Sequence, residues 1–358
     1  MKLQSNIRKT LIALSLVMVF IFTTPAYAAD GNDESDNNVN VINYDDIEDL
    51  VLENNLRLKS NKYSIEDMED IIDDIHDARD EIREMLSKSS GSGPSMPIEM
   101  PSSTDVREKM QLAELSFAYA ERKIINGSQE LFVILKQVDK NLVLLERNSQ
   151  TLSNQLEKIK LSYKYGYALS SQVDELEYKL EQIYKDYNSL LQQRDLLLLQ
   201  FKNLIGASSS EEIMLGQIPE LDIGYISEID YESDLKEAIK NSMSIEILKK
   251  ELRNADASSK KISTEVKIRK TEIDVELTNQ YQLILQKHDE LLLARNNLNL
   301  QENELLKGYI QLNAGNITKS NLDSLINEVK NQKSIIEIAE SNLFMEVEKY
   351  KAMVGGMI

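Results

Sequence analysis

Residues 163–176 read YKYGYALSSQVDEL, and residues 312–325 read LNAGNITKSNLDSL. The two segments match at a constant offset of 149 positions, as when position 166 is compared with position 315. The matches are Gly166 with Gly315, Ser171 with Ser320, Val173 with Leu322, Asp174 with Asp323, Leu176 with Leu325 and, further on, Gly206 with Gly355. An offset kept over this length without a gap predicts a duplicated structural unit, which decides the fold.

Each glycine of the matched segments is expected to end one helix by taking the left-handed conformation of a C-terminal cap. Ser170 or Ser171 is expected to start the next helix, because a serine hydroxyl accepts a hydrogen bond from an unpaired helix N–H. So short a turn makes the two helices antiparallel, which predicts a helical hairpin with the turn at its tip. The predicted tips are Gly166, Tyr167, Ala168, Leu169, Ser170 and Ser171, and Gly315, Asn316, Ile317, Thr318, Lys319 and Ser320.

The helix after each tip carries a seam of apolar positions whose steps alternate between three and four residues. The first seam is Val173, Leu176, Leu180, Ile183, Tyr187, Leu190, Arg194, Leu197, Phe201 and Leu204. The second is Leu322, Leu325, Val329, Gln332, Ile336, Ala339, Leu343, Glu346, Tyr350 and Met353. A sustained period of 3.5 residues is typical of coiled-coil packing. The fold class expected is therefore all-α, with long antiparallel hairpins in two internal repeats.

Five segments are expected along the chain, from changes in composition and from turn residues. They are a signal peptide at 1–28, a disordered acidic lead-in at 29–43, a first helical repeat at 44–206 with a Pro/Gly/Ser loop at 87–103, a connector at 207–230, and a second helical repeat at 231–358. In the first repeat, the apolar period predicts helix over 44–86 and again from about Thr104 to Tyr165.

The N-terminal stretch has the layout of a secretory signal. Arg8 and Lys9 precede an apolar run over 11–22, and Ala26-Tyr27-Ala28 fits the small-x-small pattern of a cleavage site. An uncleaved membrane anchor is the alternative for this stretch. Either way, the rest of the chain is expected to be exported.

The bulk composition excludes several classes of protein. The formal net charge is −19 and there is no cysteine, so nucleic-acid binding, disulfides and thiol chemistry are not expected. The two histidines, His76 and His288, each lie alone on a charged helix, where a surface or packing role is the expectation. We find no motif for a nucleophile, a phosphate loop or a metal site. No cofactor is expected, and the chain is not predicted to be an enzyme.

Taken together, these motifs resemble those of the TolC-type outer membrane efflux family. The resemblance lies in a short opening helix in each half, over 47–58 and 235–245, in the tips Tyr163-x-x-Gly166 with Ser170 and Gly315-x-x-Thr318 with Leu322, and in the endings Leu204-Ile205-Gly206 and Met353-Val354-Gly355. The resemblance implies that three chains build a helical α-barrel conduit in the cell envelope. It also implies that the tips contact a periplasmic adaptor protein tied to an inner-membrane pump.

One departure from the family leaves an alternative open. A membrane strand needs about ten residues of alternating pattern. The loop at 87–103 is rich in proline and lacks that alternation, so we expect a TolC-like protomer without a clear membrane β-barrel. The alternative function is a coiled-coil structural or interaction protein of the cell envelope with no conduit. In a cell without an outer membrane, the expected location would be extracellular or wall-associated.

Overall fold

The computed structural model describes residues 40–88 and 103–358. The expected signal peptide, residues 29–39 of the lead-in and residues 89–102 of the loop lie outside the described residues. The described residues form β1 (Asn40–Ile42), a 3-10 turn (Tyr44–Asp46), α1 (Ile47–Asn54), α2 (Leu56–Lys88), α3 (Ser103–Lys164), α4 (Ser170–Leu204), β2 (Ile213–Leu215), α5 (Ile223–Glu228), α6 (Tyr231–Asn241), α7 (Met243–Asn254), α8 (Ser259–Asn313) and α9 (Lys319–Val354). The all-α fold class is confirmed.

Two long hairpins dominate the structure, α3 with α4 and α8 with α9. Every position of the two predicted seams is buried or half-buried, so the heptad pattern correctly identified the packed faces. In the first hairpin, Arg194 of α4 lies in the seam and bonds Asp139 of α3 over 2.5 Å. None of the helices in the described ranges has the length and apolar character needed to cross a lipid bilayer.

The two hairpins pack against each other through α3 and α9. This contact is largely polar: Asn331 donates to Asn148 over 2.9 Å, and Lys349 pairs with Glu130 over 2.8 Å. Helix α9 is therefore covered by α8 and by α3. Helix α4 packs mainly on α3 and lies at the edge of the bundle.

The helix predicted over 44–86 is interrupted at Asn55. This buried side chain accepts hydrogen bonds at the start of α2, including one of 3.2 Å from the Leu58 N–H, and donates 2.7 Å to the Leu204 carbonyl. Ser242 makes the equivalent break in the second repeat and accepts from the Ile245 N–H over 3.2 Å. Asparagine and serine satisfy helix N-termini in this way, which explains a break without proline or glycine.

A short parallel pairing joins the start of the first repeat to the connector. Strand β1 pairs with β2, with Val41 opposite Met214, and the Tyr44 N–H donates to the Gln217 carbonyl over 3.1 Å. The expected disorder of the lead-in is therefore wrong for residues 40–43. Three-residue strands whose partners are so distant in sequence leave no periodic signal.

The repeat offset changes by one residue at the closing glycines. Gly206 has a φ of 71° and Gly356 a φ of 99°, whereas Gly355 has a helical φ of −68°. The structural counterpart of Gly206 is therefore Gly356, and the expected match with Gly355 is wrong. A Cβ built on Gly206 would lie 2.3 Å from the Asn54 carbonyl oxygen, and one on Gly356 would lie 2.1 Å from that of Asn241. Both positions require glycine because the chain passes so closely there.

Candidate functional site: the two hairpin tips

The two tips have the same backbone conformation. Gly166 and Gly315 adopt φ values of 80° and 71°. The residue after each glycine donates its N–H to the carbonyl five residues back, Tyr167 to Ser162 and Asn316 to Gln311, both over 2.8 Å. This is the hydrogen-bond pattern of a Schellman motif, which closes a helix with a left-handed residue. Nothing lies within 4 Å of a Cβ built on either tip glycine, so the tips need glycine for conformation alone.

The return helices start differently at the two tips. In the first, Leu169 is the N-cap residue and its own N–H donates to Gln172 over 2.9 Å, while Ser170 and Ser171 are already helical. The predicted serine cap is therefore wrong at this tip. In the second tip, Thr318 caps α9 by accepting from the Asn321 N–H over 3.3 Å, and Lys319 and Ser320 are helical. Threonine is a favoured N-cap residue, which the sequence shows only in the second copy.

The side chains shown to solvent also differ. At the first tip Tyr167 is 87% exposed and Leu169 is 68% exposed, next to an exposed Tyr165. The corresponding side chains of the second tip, Asn316 and Thr318, are polar. Ala168 and Ile317 occupy equivalent places and are half-buried in both copies. The first tip is thus an apolar, aromatic knob, and the second is a polar turn.

Contacts between α3 and α9 hold the two tips side by side. Lys158, shortly before the first tip, bonds the hydroxyl of Ser320 at the second tip. Further along the same helix pair, Asn327 donates to Thr151 over 3.3 Å. Within the first hairpin, Lys160 pairs with Glu177 over 2.7 Å. The residues predicted as two separate tips therefore form one surface at a single end of the helical bundle.

Charge near the tips is carried by exposed side chains. The hydrogen bond from Lys179 holds the pKa of Glu175 below its usual value. Behind the second tip, burial and the neighbouring Glu304 raise the pKa of Glu328. Among the described residues there is no group of three or more His, Cys, Asp or Glu side chains placed to hold a metal ion. What the tip surface offers is shape, aromatic area and hydrogen-bonding groups.

Large apolar side chains also lie exposed along the outer edges of the bundle, a feature that the seam analysis missed. On α4, Leu196 is 63% exposed and Leu199 is 51% exposed; on α8, Leu293 and Leu300 are 62% and 63% exposed. Each of these leucines lies outside its helix's packed seam. A heptad seam predicts contact with one partner helix and not a second apolar face, although runs such as Leu291-Leu292-Leu293 indicate one.

No protein-family model and no curated protein matches this chain. Solved structures do match. They include the CmeC outer membrane channel of Campylobacter jejuni, with a TM-score of 0.52, 12% identity, and coverage of 87% of this chain and 86% of that one. The outer membrane protein VceC of Vibrio cholerae matches with a TM-score of 0.51 and 11% identity, over 87% of this chain and 96% of that one. The MtrE outer membrane channel of Neisseria gonorrhoeae matches with a TM-score of 0.50 and 10% identity, over 88% of this chain and 89% of that one.

These matches extend over most of both chains, so they concern the whole arrangement of hairpins and not one helix pair. CmeC and MtrE are outer membrane channels, and VceC is an outer membrane protein. Identities near one residue in ten carry information about the fold alone. The chain therefore has the fold of the TolC-type outer membrane efflux proteins, as the resemblance of its motifs predicted.

Proposed function

We propose that this protein is an exported component of an efflux or export complex, in which identical chains, three by resemblance, form a helical conduit. Its paired tips would dock a periplasmic adaptor protein connected to an inner-membrane pump. The observation that carries the proposal is the tip surface, where two hairpins of a channel fold present matched turns at one end. The chain would act in the cell envelope by binding and guiding, without chemistry of its own.

The chemistry of the first tip supports docking of a protein. Tyr167 and Leu169 expose apolar area on a turn whose backbone is held by the Schellman hydrogen bonds. Aromatic side chains on a rigid support lose little conformational entropy on binding, and they are enriched where proteins bind one another. The second tip contributes hydrogen-bonding groups beside them.

The exposed edges of the bundle support assembly of several chains. Helices α4 and α8 both carry leucines that no other described helix covers. Contiguous exposed apolar area on both edges is typical of surfaces that a neighbour buries. An edge on each repeat lets chains join head to tail, which closes into a ring when the rotation between chains is right.

The mass of the mature protein in solution tests assembly. We expect a discrete oligomer, with a trimer as the specific expectation, by sedimentation or native mass spectrometry. A strict monomer at high concentration would contradict the conduit. A closed ring of helices in electron micrographs would exclude the alternative of a spacer with no conduit.

Tip variants test docking. Tyr167→Ser with Leu169→Ser is expected to weaken binding to an adaptor encoded by a neighbouring gene by at least about tenfold, since aromatic anchors dominate such interfaces. Tyr63→Ser on α2 removes another exposed tyrosine, 61% accessible and far along the chain, and serves as the control. Equal binding by both variants would show that the tips are not the docking surface.

A further inference from the structure

A groove in the second repeat carries positive charge in an otherwise acidic chain. It lies between α7 and α8, has a volume of about 510 Å³, and is lined by Lys249, Arg253, Lys267 and Lys270 together with Ser259 and Ser263. The remaining lining is aliphatic, and no carboxylate lines the groove in the described residues. None of the four cations forms an ion pair with another described residue. Four cations at this spacing repel one another unless an anion lies among them.

Among the described residues, none from the first repeat lines the groove. A separate cavity, lined by Tyr119 of α3, Ser244 of α7 and Arg269 of α8, lies on the side where the repeats meet. The basic groove contains residues of α7 and α8 only. In the described part of the chain, the groove is therefore not covered by the first repeat.

The first repeat has a free face of the opposite charge. Helix α2 buries Ile72 and turns Ile65, Met68 and Ile75 toward the bundle. Its outer stripe consists of the exposed residues Glu66, Asp70, Asp74, Asp77 and Glu81. Their steps of four, four, three and four residues place all five carboxylates on one side of the helix. None of the five forms an ion pair within the described residues.

The groove and the outer stripe lie at the same end of the molecule. Helix α2 begins beside the closing end of α4, where Asn55 bonds Leu204, and it packs on the part of α3 that α4 leaves uncovered. Helix α7 reaches the same part of α3, with Lys250 3.5 Å from Gln111. Fifteen residues of helix span about 22 Å, so the stripe is long enough to follow the groove.

In a ring of identical chains, each second repeat faces the first repeat of the next chain, because the two repeats of one chain already contact each other. We propose that the outer stripe of α2 in one copy docks on the basic groove between α7 and α8 of the next copy. This inference rests on the proposed oligomer and adds the surface that sets its direction and its salt dependence. Opposite charges fix which faces meet and suppress the pairing of like faces.

Charge reversal tests the docking on the full chain. Lys267→Glu with Lys270→Glu is expected to raise the concentration of half-assembly at least about tenfold, because like charges then face each other. Lys236→Glu with Lys240→Glu on α6 makes the same charge change on exposed residues outside the groove and should leave assembly near that of the unmodified protein. Adding Asp70→Lys and Asp74→Lys to the groove variant should restore assembly.

Cross-linking tests the contact itself. The chain has no cysteine, so Asp74→Cys with Ser263→Cys introduces the only thiols. Under oxidation we expect disulfide-linked chains in the double variant and none in Ser263→Cys alone. Normal assembly of the groove variant, or failure of the charge swap to restore it, would overturn this inference and leave the conduit proposal intact. Groove-dependent binding to anionic lipid vesicles with unchanged assembly would overturn it in favour of a lipid ligand. A monomeric unmodified protein would overturn both proposals.

Discussion

The two return helices, α4 and α9, follow tips of the same backbone conformation and carry seams of the same period, yet they have different surroundings. In α4 the first buried position of the seam is Leu190, whereas in α9 it is already Leu322, and α9 also buries residues on a second face that contacts α3. The polar residues of the seams differ accordingly. Arg194 in α4 keeps partial contact with solvent, while Glu346 in α9 is buried and hydrogen-bonded. The number of neighbouring helices, more than the shared heptad pattern, therefore decides how much of each return helix is buried.

The largest effect is expected at the closing glycines. Gly206→Ala and Gly356→Ala should each lower the free energy of unfolding by about 3 kcal/mol, since a left-handed alanine would also overlap a carbonyl oxygen. Gly355→Ala should change it little, because its φ is helical and a Cβ there would lie 3.3 Å from the Ala352 carbonyl oxygen. Urea denaturation of the three variants measures this. A larger loss of stability for Gly355→Ala than for Gly356→Ala would show that Gly355 is the counterpart of Gly206, as the constant offset predicted.

A smaller effect is expected in the buried polar contact of the second seam. Gln280 donates 2.8 Å to the Glu346 carboxylate and 2.9 Å to its carbonyl. Glu346→Leu should cost about 2 kcal/mol by leaving one amide proton unpaired, and adding Gln280→Leu should recover most of it. Arg194→Leu in the first seam should cost about 1 kcal/mol, because its partner Asp139 stays partly solvated. Thermal unfolding measures both losses of stability. Equal losses for Glu346→Leu and Arg194→Leu would contradict the conclusion that the polar residue of the second seam is the more deeply buried one.

The tip glycines are expected to be more tolerant. Gly166→Ala and Gly315→Ala should each cost about 1 kcal/mol for the left-handed conformation alone, because open space surrounds both. Denaturant titration measures the loss, and the two values should agree. A loss as large as that of Gly206→Ala would mean that the tips are packed more closely than their geometry indicates.

The smallest effect at neutral pH concerns a buried tyrosine of the second repeat. Burial, followed by a hydrogen bond of 2.9 Å to Asp234, raises the pKa of Tyr350. The folded state therefore holds this proton more tightly, so its stabilising contribution is complete below about pH 10 and is lost as the pH rises further. Tyr350→Phe should reduce the fall of stability above pH 10 without abolishing it, because burial also raises the pKa of Tyr44 in the first repeat. An unchanged alkaline slope would exclude a contribution from Tyr350.

The sequence was sufficient where structure depends on local pattern. Heptad steps identified both packed seams, and Gly166 and Gly315 marked left-handed turns, because helix periodicity and cap chemistry act over a few residues. The breaks at Asn55 and Ser242 were missed, since a polar residue within an apolar period reads as an exposed position. Only its burial shows that it caps a helix.

The remaining misses depend on contacts between distant segments. Gly355 and Gly356 are adjacent, so the sequence alone cannot decide which of them Asn241 approaches. At the first tip, the N-cap residue is Leu169 and not a serine, and the Gln172 side chain accepts from the Leu169 N–H. The tips lie side by side through contacts between α3 and α9, such as that of Lys158 with Ser320, whose residues have no sequence pattern in common.

The pairing of β1 with β2 has a consequence for the order of folding. Asn40 meets Ile213, so the first residues of the described fold find their partner only after the whole first hairpin has been made. Contacts of such separation in sequence form late, because the loop between them must close first. The connector nevertheless precedes the second repeat in the chain. During vectorial synthesis or export, β1 can therefore pair with β2 before the second repeat emerges. This order lowers the chance that helices of the two similar hairpins pair with the wrong partners.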